Sequence, residues 1–471
     1  MKPSRLYLSL ILTVFSPFMY AGTVTIHGTA ADYAGEKIVF FTYSDLITNT
    51  EDTLAQAMVS PDGHFSCTFD TRETLQVFSH LGAYKTGLFV EPGNDYEVAL
   101  PPRKDKSEAD RLNPFFEEYS VGLVIRNKAI DDINQLVRMF NDAYVPYYNK
   151  YAENLQSMSK PVALDSSISE IMKPFGDTRN VFFNQYCTYK IGLLRHMAYQ
   201  FRARAASEMY FANRPVLYHN PAYMELFNQV FDKYFIYFSH TPQGSKILND
   251  VNQQKSLSAL KQTLGTDSVL RNDALKELVI LKNLYDEFYS DHFSRSAILV
   301  LLDSIRSTTL NPEHRLIAGN IRNLITRLMP GYDPPPFTLL NQDSVAVSLD
   351  RFKGKYVYLG FCSCFSYSCL REFEMLQKMY NKLNKYVEIV TVSVDENLGQ
   401  MRNFLSKNDY NWVFLHYGNQ PRILKDYDIR GYPTYFLIDK QGKLVLSPAP
   451  SPFEGIESTM FEIMRERGDL Q

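Results

Sequence analysis

The stretch YVYLGFCSCFSYSC (356–369), followed by LREFEMLQKMYNKL (370–383), decides how this chain is read. Tyr356–Phe361 is an unbroken apolar run of strand length, bounded by the polar Lys353-Gly354-Lys355. Such a run predicts a strand buried on both faces. Residues 371–383 carry apolar side chains at helical spacing and predict an amphipathic helix. Between them sit three cysteines, Cys362, Cys364 and Cys369. A strand-to-helix junction offers free backbone N–H groups and the positive end of the helix dipole. A thiol held there loses its proton more readily and becomes reactive.

The pattern continues outward on both sides. VEIVTVSVD (387–395) reads as a second buried strand, and GQMRNFLSKN (399–408) as a helix. TYFLID (434–439), Lys440-Gln441-Gly442 and KLVLS (443–447) read as a β-hairpin, and a last helix closes the chain. This β-α-β-α-β-β-α order predicts an α/β domain with an antiparallel edge over 331–471. Upstream, Met329-Pro330-Gly331-Tyr332-Asp333-Pro334-Pro335-Pro336 breaks the chain, because three consecutive prolines cannot continue a helix. Residues 104–330 show helical periodicity, with Asn220-Pro221 and Asn311-Pro312 as helix starts. Their Tyr and Phe stripes read as helix core. Residues 22–103 hold short β-branched and aromatic runs separated by turns at Pro61-Asp62-Gly63 and Pro92-Gly93-Asn94-Asp95, the pattern of a small all-β sandwich.

Residues 1–21 have the form of a signal peptide: Lys2 and Arg5, then the apolar Leu6–Phe18, then Ala21 as a cleavage point. The apolar stretch is shorter than the ~20 residues that span a bilayer. The mature chain is expected in the periplasm without a stable membrane span. Export places the five cysteines where disulfides persist, and an odd number leaves at least one unpaired in a monomer. The remaining two, Cys67 and Cys187, read as core residues. With 49 basic and 52 acidic residues there is no basic excess of the kind nucleic-acid binding needs. No metal or phosphate-loop motif occurs, and no cofactor is called for.

The run PPPFTLLNQDSVAVSLDRFKGKYVYLGF, then Cys369 with Glu372, then IRGYPTYFLIDKQGKLV resembles the TlpA/ResA-like thiol–disulfide oxidoreductases of thioredoxin fold. The resemblance covers 331–471. It implies thiol–disulfide exchange with exported proteins, a cis peptide at Tyr432-Pro433 that faces the thiols and docks an extended peptide, and a Glu372 that tunes proton affinity nearby. One departure is decisive. Ungapped alignment on Lys353-Gly354-Lys355 puts Phe365 at the family's Trp, Ser366 at its attacking Cys and Cys369 at its second Cys. The tetrapeptide is therefore Ser-Tyr-Ser-Cys.

A hydroxyl cannot form the mixed disulfide that exchange requires. Ser366 or Ser368 is expected to cap the helix instead. No G-x-S-x-G surrounds Ser366, which argues against a serine hydrolase. No P-x-x-x-T-x-x-C precedes any of the three cysteines, which excludes a peroxiredoxin. Cys364 with Cys369 is the pair expected to carry any redox activity. A more strained Cys362–Cys364 bridge, a static bridge and inert buried thiols remain open. Two functions follow from different classes: an oxidoreductase with a degenerate site, or a redox-inactive binding or scaffold protein. A carbohydrate-binding role for the N-terminal module rests on the sandwich alone.

Overall fold

The computed structural model describes residues 21–107, 109–110, 113, 115–157, 164–198, 203–418 and 420–470. The expected signal peptide lies, apart from Ala21, outside the described residues.

The N-terminal strands are β1 (Gly22–Thr29), β2 (Lys37–Tyr43), β3 (Glu51–Met58), β4 (His64–Thr71), β5 (Leu75–Leu81), β6 (Tyr84–Val90) and β7 (Asp95–Ala99). Two more, β8 (Tyr119–Gly122) and β9 (Val124–Ile125), join them. They form a four-stranded sheet, β4-β1-β7-β9, and a five-stranded sheet, β3-β2-β5-β6-β8. Alternation along each strand sends one face inward. Val24 and Ile26 of one sheet meet Phe40, Val77 and Leu88 of the other in a shared core, which makes the pair a sandwich. Strand pairing thus runs past the expected boundary at 103. The two extra strands have four and two residues. Runs that short carry no readable period.

Helices dominate from Ile133 to Thr326, the longest being Ile133–Ser157 and Val181–Ala198. The aromatic stripes are buried in their common core: Phe140, Phe183, Phe211, Phe227 and Phe231 are closed off from solvent. Asn220 accepts from the backbone N–H groups of Ala222 and Tyr223, and Asn311 from that of Glu313, so both Asn-Pro pairs start helices. Cys187 lies in this core and Cys67 in the sandwich core.

The C-terminal sheet has seven strands: β10 (Thr338–Asn341), β11 (Ala346–Ser348), β12 (Tyr356–Cys362), β13 (Val387–Ser393), β14 (Val413–His416), β15 (Thr434–Ile438) and β16 (Leu444–Ala449). Their order is β11-β10-β14-β13-β12-β15-β16. β12 runs parallel to β13 and antiparallel to β15. Strand β14, only four residues long, did not stand out in the sequence. Every residue of β12 is buried, as an apolar run between two covered faces requires. Val357, Leu359 and Phe361 face one core. Tyr356, Tyr358 and Cys362 face the other, against Phe373 and Leu376 of helix Tyr367–Leu383 and Ile456 and Met460 of helix Ile456–Glu466. The fold is an all-β sandwich, a helical region and a C-terminal thioredoxin-like α/β domain. Among the described residues no helix is long and apolar enough to cross a membrane, and no cluster of metal-ligating side chains occurs.

Candidate active site

The site forms where β12 ends and helix Tyr367–Leu383 begins. Period-2 alternation puts Cys362, like Tyr358, on the face that this helix covers. Cys369 sits in the helix's first turn and is wholly buried against that face. Cys362 and Cys369 lie buried in one cluster, and Cys362 is the neighbour that most affects the Cys369 thiol. The sequence expectation had paired Cys369 with Cys364. All five cysteines are free thiols, all buried.

The three clustered thiols have different proton affinities. Hydrogen bonding to Cys362 lowers that of Cys369 below the ordinary thiol value. Burial opposes the shift, while the Ser363 backbone and the Ser366 hydroxyl add to it. Cys362 is pushed far the other way, by burial first and then by the adjoining Cys369. Burial also raises Cys364, and the Asp395 carboxylate adds to it. Cys369 is therefore the sulfur of the three that ionises most readily, and Cys362 is its proton-bearing partner.

Ser366 stands at the helix N-cap in extended backbone but caps nothing with its side chain. Its hydroxyl instead acts on the Cys369 thiol, whose proton affinity it helps to lower. A side chain engaged there is lost to the backbone N–H groups it was expected to cap.

Cys364 lies in the same buried cluster, with its backbone anchored to Asp395. The Asp395 carboxylate accepts from the Ser363 hydroxyl at 2.8 Å, the Cys364 N–H at 3.1 Å and the Ser393 hydroxyl at 2.6 Å. His416 bonds the Asp395 carbonyl at 2.8 Å. These contacts pin the loop that leads from strand to helix.

On the other side, Tyr435 lies flat on Tyr358, with ring centroids 4.7 Å apart. Gly360 makes room for it, since a Cβ there would stand 2.6 Å from the Tyr435 ring. The Tyr435 hydroxyl is 3.9 Å from the Cys362 sulfur and also interacts with Glu372. Glu372 is buried, and its Oε2 has no hydrogen-bond partner. Burial raises its proton affinity, and the Tyr435 hydroxyl works against that rise.

The Tyr432–Pro433 peptide is cis, and both residues are half-buried. Tyr432 is close enough to Cys369 for the sulfur's charge to raise its own proton affinity, after burial. Phe365 and Tyr367 are exposed beside the site, as is Phe453, over which Arg371 stacks at 4.9 Å.

Of the residues singled out in the sequence, Cys369, Ser366, Glu372, Tyr432 and Pro433 converge here, and Cys364 belongs to the Asp395 loop. Cys362 entered the sequence reading only as a strained partner of Cys364, and Asp395 and Tyr435 went unassigned. The alternation along β12 carried the information for Cys362. Nothing local marked Asp395 or Tyr435, which come from other strands.

A thioredoxin-like family model matches residues 354–444. The thiol–disulfide oxidoreductase ResA of Bacillus subtilis (strain 168) is 34% identical over 155 residues, which are 32% of this chain and 82% of that protein. The chain belongs to the thioredoxin-like thiol–disulfide oxidoreductase family. ResA of Bacillus thuringiensis subsp. konkukian is 32% identical over 117 residues, 24% of this chain and 66% of that protein. Among solved structures, the thioredoxin domain of a thiol–disulfide oxidoreductase from Bacteroides vulgatus is 27% identical. It covers 29% of this chain and 98% of its own, with a TM-score of 0.27. A thiol:disulfide interchange protein from Bacteroides sp. is 26% identical over 29% of this chain and 91% of its own, with a TM-score of 0.27. The family model places the kinship in the C-terminal part of the chain, over residues 354–444.

Proposed function

We propose that the chain is an exported, periplasmic protein that exchanges thiols and disulfides with other exported proteins at a degenerate site. Cys369 is its reacting sulfur and Ser366 occupies the vacated attacking position. The observation that carries this reading is the place of Cys369, buried in the first turn of the helix after β12 in the cluster against which Tyr432 of the cis Tyr432–Pro433 peptide packs. Exchange proceeds through a thiolate, and Cys369 is the sulfur of the cluster closest to being one. The exposed rings of Phe365, Tyr367 and Phe453 suit a peptide partner rather than a small ion. The Lys2 and Arg5 n-region with its short apolar stretch supports export, and the family's members act on thiols and disulfides.

Insulin reduction driven by dithiothreitol tests the reading. Wild type is expected to accelerate it and Cys369→Ala to lose the acceleration. An inactive wild type whose activity appears in Ser366→Cys would instead favour the second reading, a binding or scaffold protein that kept the groove and lost turnover.

A further inference from the structure

The family's exchange cycle needs two sulfurs, and position 366 holds an oxygen. We infer that Cys362 and Cys369 form a dithiol–disulfide pair, in which Cys362 takes the resolving role. The inference rests on the exchange reading above and names the second sulfur for it.

The geometry singles out this pair. Cys362 ends β12 on the face that helix Tyr367–Leu383 covers, and Cys369 projects from that helix onto the same face. Both are closed off from solvent in the same buried cluster between that strand and that helix. Cys364 shares their core cluster but has its backbone fixed to Asp395 by two contacts of 3.1 and 3.2 Å. A loop shift that carried Cys364 toward Cys369 would strain that anchor, whereas Cys362 sits at the end of a strand that already faces the helix. Cys369 is wholly buried, so its attack on a partner requires the first helical turn to open. Its N-cap side chain bonds none of the turn's free N–H groups, and such uncapped ends open locally.

The step balances without an outside redox agent beyond a partner's disulfide. The Cys369 thiolate attacks one sulfur of that disulfide. The partner's S–S bond breaks, a Cys369–partner bond forms, and the first partner thiolate leaves and takes up a proton. Cys362 then gives its proton by way of the Tyr435 hydroxyl to the Glu372 carboxylate, which has an oxygen free of partners. The Cys362 thiolate attacks Cys369, forms the Cys362–Cys369 bond and releases the second partner thiolate. The partner disulfide gains two electrons, and the dithiol loses two.

The test exposes the reduced full chain to oxidised glutathione, counts free thiols after denaturation and maps the bridge. Trypsin leaves all three cysteines on one peptide, 356–371, so chymotrypsin is needed to cut at Phe365 and Tyr367, between Cys364 and Cys369. Wild type and Cys364→Ala are expected to lose two thiols per chain, restored by dithiothreitol. In Cys362→Ala, and in the better-packed Cys362→Ser, glutathione is expected to stay on Cys369 with no internal bridge. A Cys364–Cys369 link, a lasting glutathione adduct on wild-type Cys369, or no loss of thiols overturns the inference. Fragmentation of the shared peptide 362–365 between Cys362 and Cys364 in tandem mass spectrometry tells the two bridges apart in wild type, even if the Cys362 variants fail to fold. Insulin turnover without the bridge sinks this inference and spares the exchange reading. A bridge without insulin turnover does the reverse.

Discussion

Replacing Asp395 by Ala should free the loop that delivers the chain from β12 to the reactive turn. The buried carboxylate takes three hydrogen bonds, from the hydroxyls of Ser363 and Ser393 and the N–H of Cys364. A hydrogen bond to a charged acceptor is worth about 1.5–3 kcal/mol, and removing the acceptor strands its buried donors. The two hydroxyls can rotate toward other acceptors, but the Cys364 N–H cannot. The three bonds share one group and do not add in full. A local loss of about 3 kcal/mol follows. At about 1.4 kcal/mol per factor of ten, that loss means ~100-fold faster amide exchange over residues 363–366. Hydrogen–deuterium exchange of peptides spanning the loop reads this locally, which suits a chain with several cores better than one global unfolding energy. Asp395→Asn, which keeps shape and one acceptor, should fall between. Exchange in Asp395→Ala within about threefold of wild type would refute the reasoning.

Two other perturbations have definite outcomes. Gly360→Ala drives a methyl group into the Tyr435 ring, so it should destabilise the C-terminal domain by about 1–3 kcal/mol and move the Tyr435 hydroxyl off Cys362; urea unfolding followed by the fluorescence of Trp412, the only tryptophan, reads the first effect. His80 is raised to about 9: burial opposes protonation, but hydrogen bonds to Glu118 and Glu51 outweigh it. Its stabilising contribution is therefore complete below the ordinary histidine value of about 6.5 and fades as pH rises through about 9. Calorimetric Tm should fall across that window in wild type and fall less in His80→Gln; equal slopes would contradict it.

What the sequence disclosed follows from how local each feature is. The apolar run of β12, the amphipathic helix after it and the Gly-Tyr-Pro-Thr turn are contiguous, so their reading needed no knowledge of pairing. Strands β8, β9 and β14 are too short to show a period, and only their neighbours stabilise them. The sequence reading paired Cys364 with Cys369 because the turn between them can bring two Cα atoms within bridging range. The strand's alternation turns Cys362 toward the helix, while Asp395, arriving from the end of β13, anchors the Cys364 backbone. Tyr435 reaches the site from the antiparallel neighbour β15, across from Gly360. That register was not readable from either segment alone.

The reactive sulfur can be ranked directly. Pulse the reduced wild-type chain with iodoacetamide across a pH series and quantify each cysteine by mass spectrometry. Cys369 should label first, with a midpoint below the ordinary thiol value of about 8.5, and Cys362 and Cys364 should lag well behind it. Cys364 leading, or all three rising together above that value, would contradict a site whose working sulfur lies at position 369.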